Sequence, residues 1–240
     1  EDKQNVWTSH LSITDVERGV NSYYILQLLK HDKKNLFYVY RKWGRIGVDS
    51  IGGQKLTDYD EVDDAMHEFE KVYREKTGNE WENRNNFVKR PGKFYPVAVD
   101  YGGDDDLEKI AARSTGEYKG KLDKRVRDFI SLIFDVKQMK EALMSMEIDV
   151  NKMPLGKLSK KTITEGYGVL TEIQGLLKKV EEAKESVSDK KHRDQFVKLS
   201  NKFYILVPHS FELNENAPLI NTVELLQKKI EMLTTLQEME

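Results

Sequence analysis

Apolar and polar positions alternate along the first part of the chain. From Asn35 to Gly47 (NLFYVYRKWGRIG), Leu36, Tyr38 and Tyr40 alternate with Phe37, Val39 and Arg41. That is the two-residue period of a half-buried strand, built from the aromatic and β-branched types that suit a pleated surface. Asn21 to Leu29 alternates likewise, with Tyr24, Leu26 and Leu28 on one face. The polar run Lys30 to Asn35 between them predicts an antiparallel hairpin. Ile51 to Leu56 predicts a third short strand, in which Gly52 and Gly53 suggest a bulge or tight bend. The period then changes. Val62, Ala65, Met66, Phe69, Val72 and Tyr73 form a helical stripe, with Asp60 placed to cap it and Gly78 just beyond its end. Trp81 and Phe87 read as core anchors. Lys93 to Asp100 reads as a closing strand, which Pro96 assigns to an edge. Residues 1–101 are therefore expected to form an α+β domain, a small antiparallel sheet with one helix.

Tyr101 to Asp106 (YGGDDD) breaks this texture, and glycines recur at 116 and 120 among charges, so 102–120 reads as a linker. Beyond it the spacing is helical throughout. Leu122, Val126, Phe129, Ile130, Ile133 and Phe134 make one stripe, and Asp135 is placed to cap Met139, Ala142, Leu143 and Met146. Ser159 would cap a long helix with Ile163, Tyr167, Leu170, Ile173, Leu177 and Val180. Ser188 would cap another with Phe196, Leu199 and Phe203. Pro208 and Pro218 interrupt the pattern before a last helix with Val223, Leu226, Ile230, Leu233 and Leu236. Five or six amphipathic helices with short connections predict an all-α antiparallel bundle over 121–240.

Composition narrows the function. The chain has 240 residues, 38% of them hydrophobic, which suits two globular domains. Its net charge of -2 supplies no global attraction to DNA or anionic membrane, so any nucleic-acid binding must come from local clustering. It has no cysteine for a disulfide or thiolate zinc site. No apolar run is long enough to span a bilayer, and Glu1 to Gln4 does not open a signal peptide, so a soluble intracellular chain, or a piece of one, is expected. Charge is segregated. Lys33, Lys34, Arg41, Lys42 and Arg45 lie between Asp32 and Asp49 with no acid among them, as do Arg84, Lys89, Arg90 and Lys93 between Glu82 and Asp100. Asp58 to Glu70 holds seven acids and no Lys or Arg.

The candidate chemistry sits where the second strand ends. Arg41, Lys42, Trp43, Gly44 and Arg45 place a flat indole beside cations and a glycine that admits close backbone approach. Cations neutralise phosphate and an indole stacks on a sugar or base, so this is a candidate nucleic-acid contact. The alternative is a strand end with solvated charges and a tryptophan that completes the core. Gly47, Gly52 and Gly53 do not lead into the Gly-Lys-Ser/Thr of a phosphate loop. His192 and His209 lack a second ligand at metal spacing and read as structural or surface groups, and no catalytic constellation is evident.

Trp43-Gly44-Arg45, with Asn21 to Leu28 before it and Lys93-Phe94-Tyr95-Pro96 after it, resembles the WGR domain of poly(ADP-ribose) polymerases. In the second half, Ile133 to Val136, Met153 to Ser159, Leu199 to Tyr204 with Pro208-His209, and Glu231-Met232-Leu233 resemble the regulatory helical domain of the same enzymes. Lys93 to Pro96 is similar to the larger, multi-finger members. A smaller DNA-dependent member has tyrosine where this chain has Phe94, so a phosphate contact through that hydroxyl cannot be made here.

The resemblance implies a segment that contacts the end of a broken duplex, a nick or an end on its 5′-phosphate side, and relays this to a helical domain that restricts NAD access. Trp43 would pack on the terminal sugar. Arg45 would bridge DNA or the amino-terminal zinc fingers to the helical domain. Asn21 and Lys89 would touch the backbone near the break, and Lys42, Arg41, Arg90 and Lys93 join the set on charge alone. The family's transferase domain, with its His-Gly-Ser/Thr motif, its catalytic glutamate and its NAD, is not recognised here. His209 is followed by Ser210 and Phe211. The expectation is therefore no catalytic residue, cofactor or metal in this chain, no membrane partner, and a nuclear, NAD-dependent ADP-ribosyltransferase as the parent. Two other readings remain. One is a protein-interaction module whose basic stretches are incidental. The other is a small independent enzyme, against which stands the lack of nucleophile, metal and cofactor motifs.

Overall fold

A computed structural model of the chain describes residues 6–100, 123–126, 157–211 and 215–238. The first part is a five-stranded antiparallel sheet: β1 (Thr8–Asp15), β2 (Val20–Lys30), β3 (Phe37–Arg45), β4 (Val48–Tyr59) and β5 (Tyr95–Pro96), in the order β4-β3-β2-β1-β5. The predicted hairpin is β2–β3, closed by the His31 amide on the Leu36 carbonyl at 2.9 Å. The third strand is longer than its apolar core suggested. Most of β4 is exposed, and it follows β3 by backbone pairing, with a register shift at Gly44/Arg45. β1 carries no clear alternation, because serine and threonine fill its buried positions beside Leu11 (Ser9, Ser12 and Thr14), so the sequence pattern does not mark it. Pro96 lies in the short edge strand, as its missing N–H requires.

Helix α1 (Val62–Thr77) packs on β2, β3 and β4. Ala65, Phe69, Val72 and Tyr73 meet Leu11, Tyr24, Leu26, Phe37, Val39 and Trp81 in one core. Trp81 opens a 3-10 turn (Trp81–Asn86), its ring 4.8 Å from that of Phe69 and 5.0 Å from that of Tyr73. Two details differ from the sequence pattern. The N-cap is Glu61 rather than Asp60 and makes no side-chain cap bond, and Val62 stays exposed at the open end of the stripe. Gly78 ends the helix in the left-handed conformation, its N–H on the Arg74 carbonyl.

The expected strand over Lys93 to Asp100 divides in two. β5 completes the sheet, whereas β6 (Val99–Asp100) pairs with β7 (Lys157–Leu158) from the helical part of the chain. Three helices follow among the described residues: α2 (Lys160–Glu182), α3 (Lys190–Leu206) and α4 (Val223–Glu238), with α2 packed on both others. Ser159 caps α2 as its position predicts, its hydroxyl accepting from the Thr162 amide at 3.2 Å. The α3 cap is Asp189, one residue past Ser188, and Val223 is exposed. The stripes expected over 122–146 fall, apart from the exposed Val126, outside the described residues, as do linker 102–120, the motif Ile133 to Val136 and the start of the motif Met153 to Ser159.

The glycines of α2 have different causes. A side chain at Gly166 would meet Val207 and Leu233 at 3.2 and 3.3 Å, so this glycine lets helices approach closely. Among the described residues nothing lies within 4 Å of a Cβ built at Gly175. Gly175→Ala is therefore expected to stabilise the chain by about 0.5–1 kcal/mol, the helix-propensity gain alone, read as a higher urea midpoint.

Candidate nucleic-acid interface and interdomain joint

β3 carries Arg41, Trp43 and Arg45 on alternate positions into a groove of about 550 Å³, which Tyr24, Lys55, Lys76 and Phe94 also line. Trp43 is 38% exposed and lies nearly parallel to Tyr24, with ring centroids 6.0 Å apart at 15°. It is held by its neighbour while offering a free surface, so it does not simply complete the core. Burial pushes the Tyr24 phenol pKa up, which keeps it neutral, and Lys76 sits 5.1 Å over its ring. Gly44 does admit close backbone approach, but the approaching strand is β4: a Cβ there would lie 2.6 Å from the Ile51 carbonyl oxygen.

The cations of the groove differ in how they are balanced. The Arg41 side chain is 16% exposed and ion-paired to Glu68 of α1. Directly opposite it across the ladder stands Lys55, an unfavourable like-charge pairing unless anions offset it. Lys76 pairs with the exposed Glu75 at 2.8 Å. Lys55 and Lys76 were not singled out in the sequence. The β3–β4 register carries the signal for Lys55, whereas only tertiary packing brings Lys76, from the last turn of α1, to this groove.

Arg45 faces the helical part. Its guanidinium donates to the Gly19 carbonyl at 2.8 Å and to the Glu215 carbonyl at 3.0 Å. Asn21 does not reach the groove. It is 2% exposed, its Nδ2 donates to the His209 carbonyl at 2.9 Å, and its Oδ1 accepts from Thr14 at 3.3 Å. Alongside, the Val16 amide donates to Asn201 of α3 at 2.8 Å and Arg193 pairs with Glu17 at 2.7 Å. Val16, Ile25 and Val97 join the helical core, so one apolar cluster crosses between the two parts.

The remaining candidates are scattered. Lys42 and Arg90 are exposed and do not line the groove. Lys93 donates to the Glu75 carbonyl at 2.9 Å. Lys89 donates to the Lys93 carbonyl at 3.0 Å and faces a separate cleft. Among the described residues no group of His, Asp and Glu could hold a metal ion, and no helix is long and apolar enough to cross a membrane.

His209, whose carbonyl receives Asn21, has a fully buried ring among Phe203, Tyr204 and Phe211. Burial, with Lys229 nearby, pushes its pKa well below 6.5. The unfolded chain then takes up a proton, at about pH 6.5 and below, that the folded chain refuses. Stability contributed by neutral His209 is present above that pH and is lost as pH falls, by at most about 1.4 kcal/mol per pH unit. A urea midpoint that declines between pH 7 and 5.5, with the decline reduced in His209→Phe, is the expected result.

Comparison with known proteins gives two matched segments: the WGR domain over residues 7–88, and the regulatory domain of poly(ADP-ribose) polymerase over residues 120–240. The chain is 42% identical over 240 residues to poly(ADP-ribose) polymerase 1 of Danio rerio, all of this chain and 22% of that protein. It is 43% identical over 230 residues to poly(ADP-ribose) polymerase of Sarcophaga peregrina, 96% of this chain and 22% of that one. With poly(ADP-ribose) polymerase 1 of Arabidopsis thaliana it shares 37% over 246 aligned positions, all of this chain and 23% of the relative. The chain thus spans about a fifth of the length of the curated relatives it matches.

Proposed function

The chain belongs to the poly(ADP-ribose) polymerase family, as its WGR and regulatory segment, and from that premise we propose that it reads broken DNA and relays the result to the helical domain. The Trp43 groove takes the terminal nucleotide of a nick or duplex end. Trp43 packs on the sugar, while Arg41, Lys55 and Lys76 offset the phosphates. Lys42, Arg90, Lys89 and Lys93 lie outside the groove and add at most peripheral attraction. The parent is a nuclear, NAD-dependent ADP-ribosyltransferase. Its catalytic domain is the target of the relay, and its amino-terminal zinc fingers share the DNA end.

One observation carries this reading. Arg45 lines the groove with Trp43 while its guanidinium holds the Glu215 carbonyl of the helical part. A ligand that moves Trp43 or Arg45 changes that contact directly. It can shift the helical domain only by its differential affinity for the two arrangements.

Fluorescence anisotropy on a nicked, 5′-phosphorylated duplex and on an unbroken duplex over a salt series tests it. Preference for the nick and a steep fall with salt are expected. Trp43→Ala should weaken nick binding about tenfold, the loss of one stacked contact. Equal binding to both duplexes, or a Trp43→Ala variant that binds as well, overturns the reading. Protein capture at this face without salt-sensitive DNA binding would point to a docking module.

A further inference from the structure

A second hollow opens between the WGR sheet and the helices, away from the Trp43 groove. It holds about 750 Å³ and is walled by the end of β1, the segment 89–95, α2 and α3. The size suits a small-molecule site, and domain junctions are where such sites recur. Both helices present a stripe at i, i+3, i+4 and i+7: Glu165, Gly168, Val169 and Glu172 on α2, and Lys198, Asn201, Lys202 and Ile205 on α3.

The charges inside are unequally satisfied. Glu172 is paired to Lys202 at 3.0 Å. Asp15 accepts the amides of Glu17 and Arg18 at 3.1 and 3.2 Å, with the Arg18 side chain 3.7 Å away. Asn201 is committed to the Val16 amide. Lys93 is held by the Glu75 carbonyl at 2.9 Å. The Lys89 ammonium has the Lys93 carbonyl at 3.0 Å and the Tyr95 ring at 5.5 Å, and no carboxylate at ion-pair distance among the described residues. Lys89 is exposed at the cleft, so its ammonium is open to an incoming anion, and partial desolvation by the cleft wall pushes its pKa down. Lys198 is likewise without an ion-pair partner among the described residues. Glu165, beside Tyr95, is the one acid of the cleft left to oppose them.

Gly168 is the second, independent observation. A helix-interior glycine is unfavourable, and no atom of the described residues lies within 4 Å of a Cβ built on it. Unlike Gly166, it is not required by a packed neighbour among the described residues. It leaves bare helix backbone facing the cleft, between apolar Val169 and the stripe of α3.

We propose that this interdomain cleft binds a phosphorylated small molecule of mononucleotide size. The phosphate lies at Lys89 and Lys198, and the less polar body lies along Gly168 and Val169. A ligand held by both parts of the chain binds only when they are docked, so it stabilises the docked arrangement by mass action. The inference does not depend on the Trp43 groove contacting DNA.

Calorimetric titration of the full chain with AMP and UMP, beside inorganic phosphate and the two nucleosides, tests it. Both nucleotides should bind and raise the melting temperature, more tightly than phosphate or nucleoside alone. Lys89→Ala should weaken them about tenfold or more, as loss of a charged hydrogen bond does. Gly168→Leu places a better helix former in the cleft and should abolish binding without lowering the unfolding midpoint. Trp43→Ala should leave it unchanged. No nucleotide binding, nucleosides that bind as tightly as nucleotides, or binding that survives both Lys89→Ala and Gly168→Leu would overturn the proposal. So would loss on Trp43→Ala, which would put the ligand in the DNA groove instead.

Discussion

Gly47→Ala is expected to pry the WGR sheet away from the helices. Gly47 has φ of 83°, and a Cβ there would lie 2.2 Å from Ser210 Oγ and 2.8 Å from Ser210 Cα. A serine rotamer change relieves the first contact but not the second, which is backbone. The left-handed conformation alone costs a non-glycine residue about 1–2 kcal/mol, and overpacking a closed contact adds about 1–3 kcal/mol. Ser210 follows His209, whose carbonyl holds Asn21, so the strain falls on the joint itself. The measurement is the urea transition, with hydrogen exchange over 207–211 and 215–220. A lowered or split transition with faster exchange in both segments is expected. A transition like that of the parent chain would mean that Gly47 does not fix the joint.

The joint explains what could be read in the sequence and what could not. Periodicity reports one buried face at a time, which is why β2, β3, α1 and the Ser159-capped α2 were legible. β1 was not, because Ser12 and Thr14 are buried in a strand that α3 packs against, and a polar residue buried by a distant element carries no local pattern. The same cause limits the site. Trp43, Arg41 and Arg45 share one strand and could be grouped from sequence. Lys55 needed the β3–β4 register and Lys76 the packing of α1. Lys89 and Asn21 have the composition of DNA contacts, yet their surroundings come from α2, α3 and the segment after α3. Residue type gives the chemistry available to a side chain, and tertiary contact decides where it is used.

The arrangement also bears on how a signal could pass. Asn21, Gly47 and Arg45 meet the segment between α3 and α4 at three points: the His209 carbonyl, Ser210 and the Glu215 carbonyl. Within the sheet these residues are bound together, since the Ile46 amide donates to the Asn21 carbonyl at 3.0 Å. The end of β3 and the start of β2 therefore move as one body. A ligand seated on Trp43 acts on that body without touching α2, α3 or α4.

Asn21→Leu separates the two jobs of this face. Leucine keeps the approximate volume but removes the donor to His209 and the acceptor for Thr14, both buried. Each stranded polar group costs about 1–3 kcal/mol, so a loss of about 2–4 kcal/mol in the urea transition is expected. The groove is built without the Asn21 side chain, so affinity for a nicked duplex should change less than about twofold, with the same salt slope. A tenfold fall in DNA affinity with a shallower slope and unchanged stability would assign Asn21 to the DNA backbone. Preserved DNA binding in a destabilised chain makes it a joint residue. In that case, on the proposed function, a parent enzyme carrying Asn21→Leu should still find breaks but couple them poorly to the helical domain, giving a smaller ratio of DNA-stimulated to basal activity.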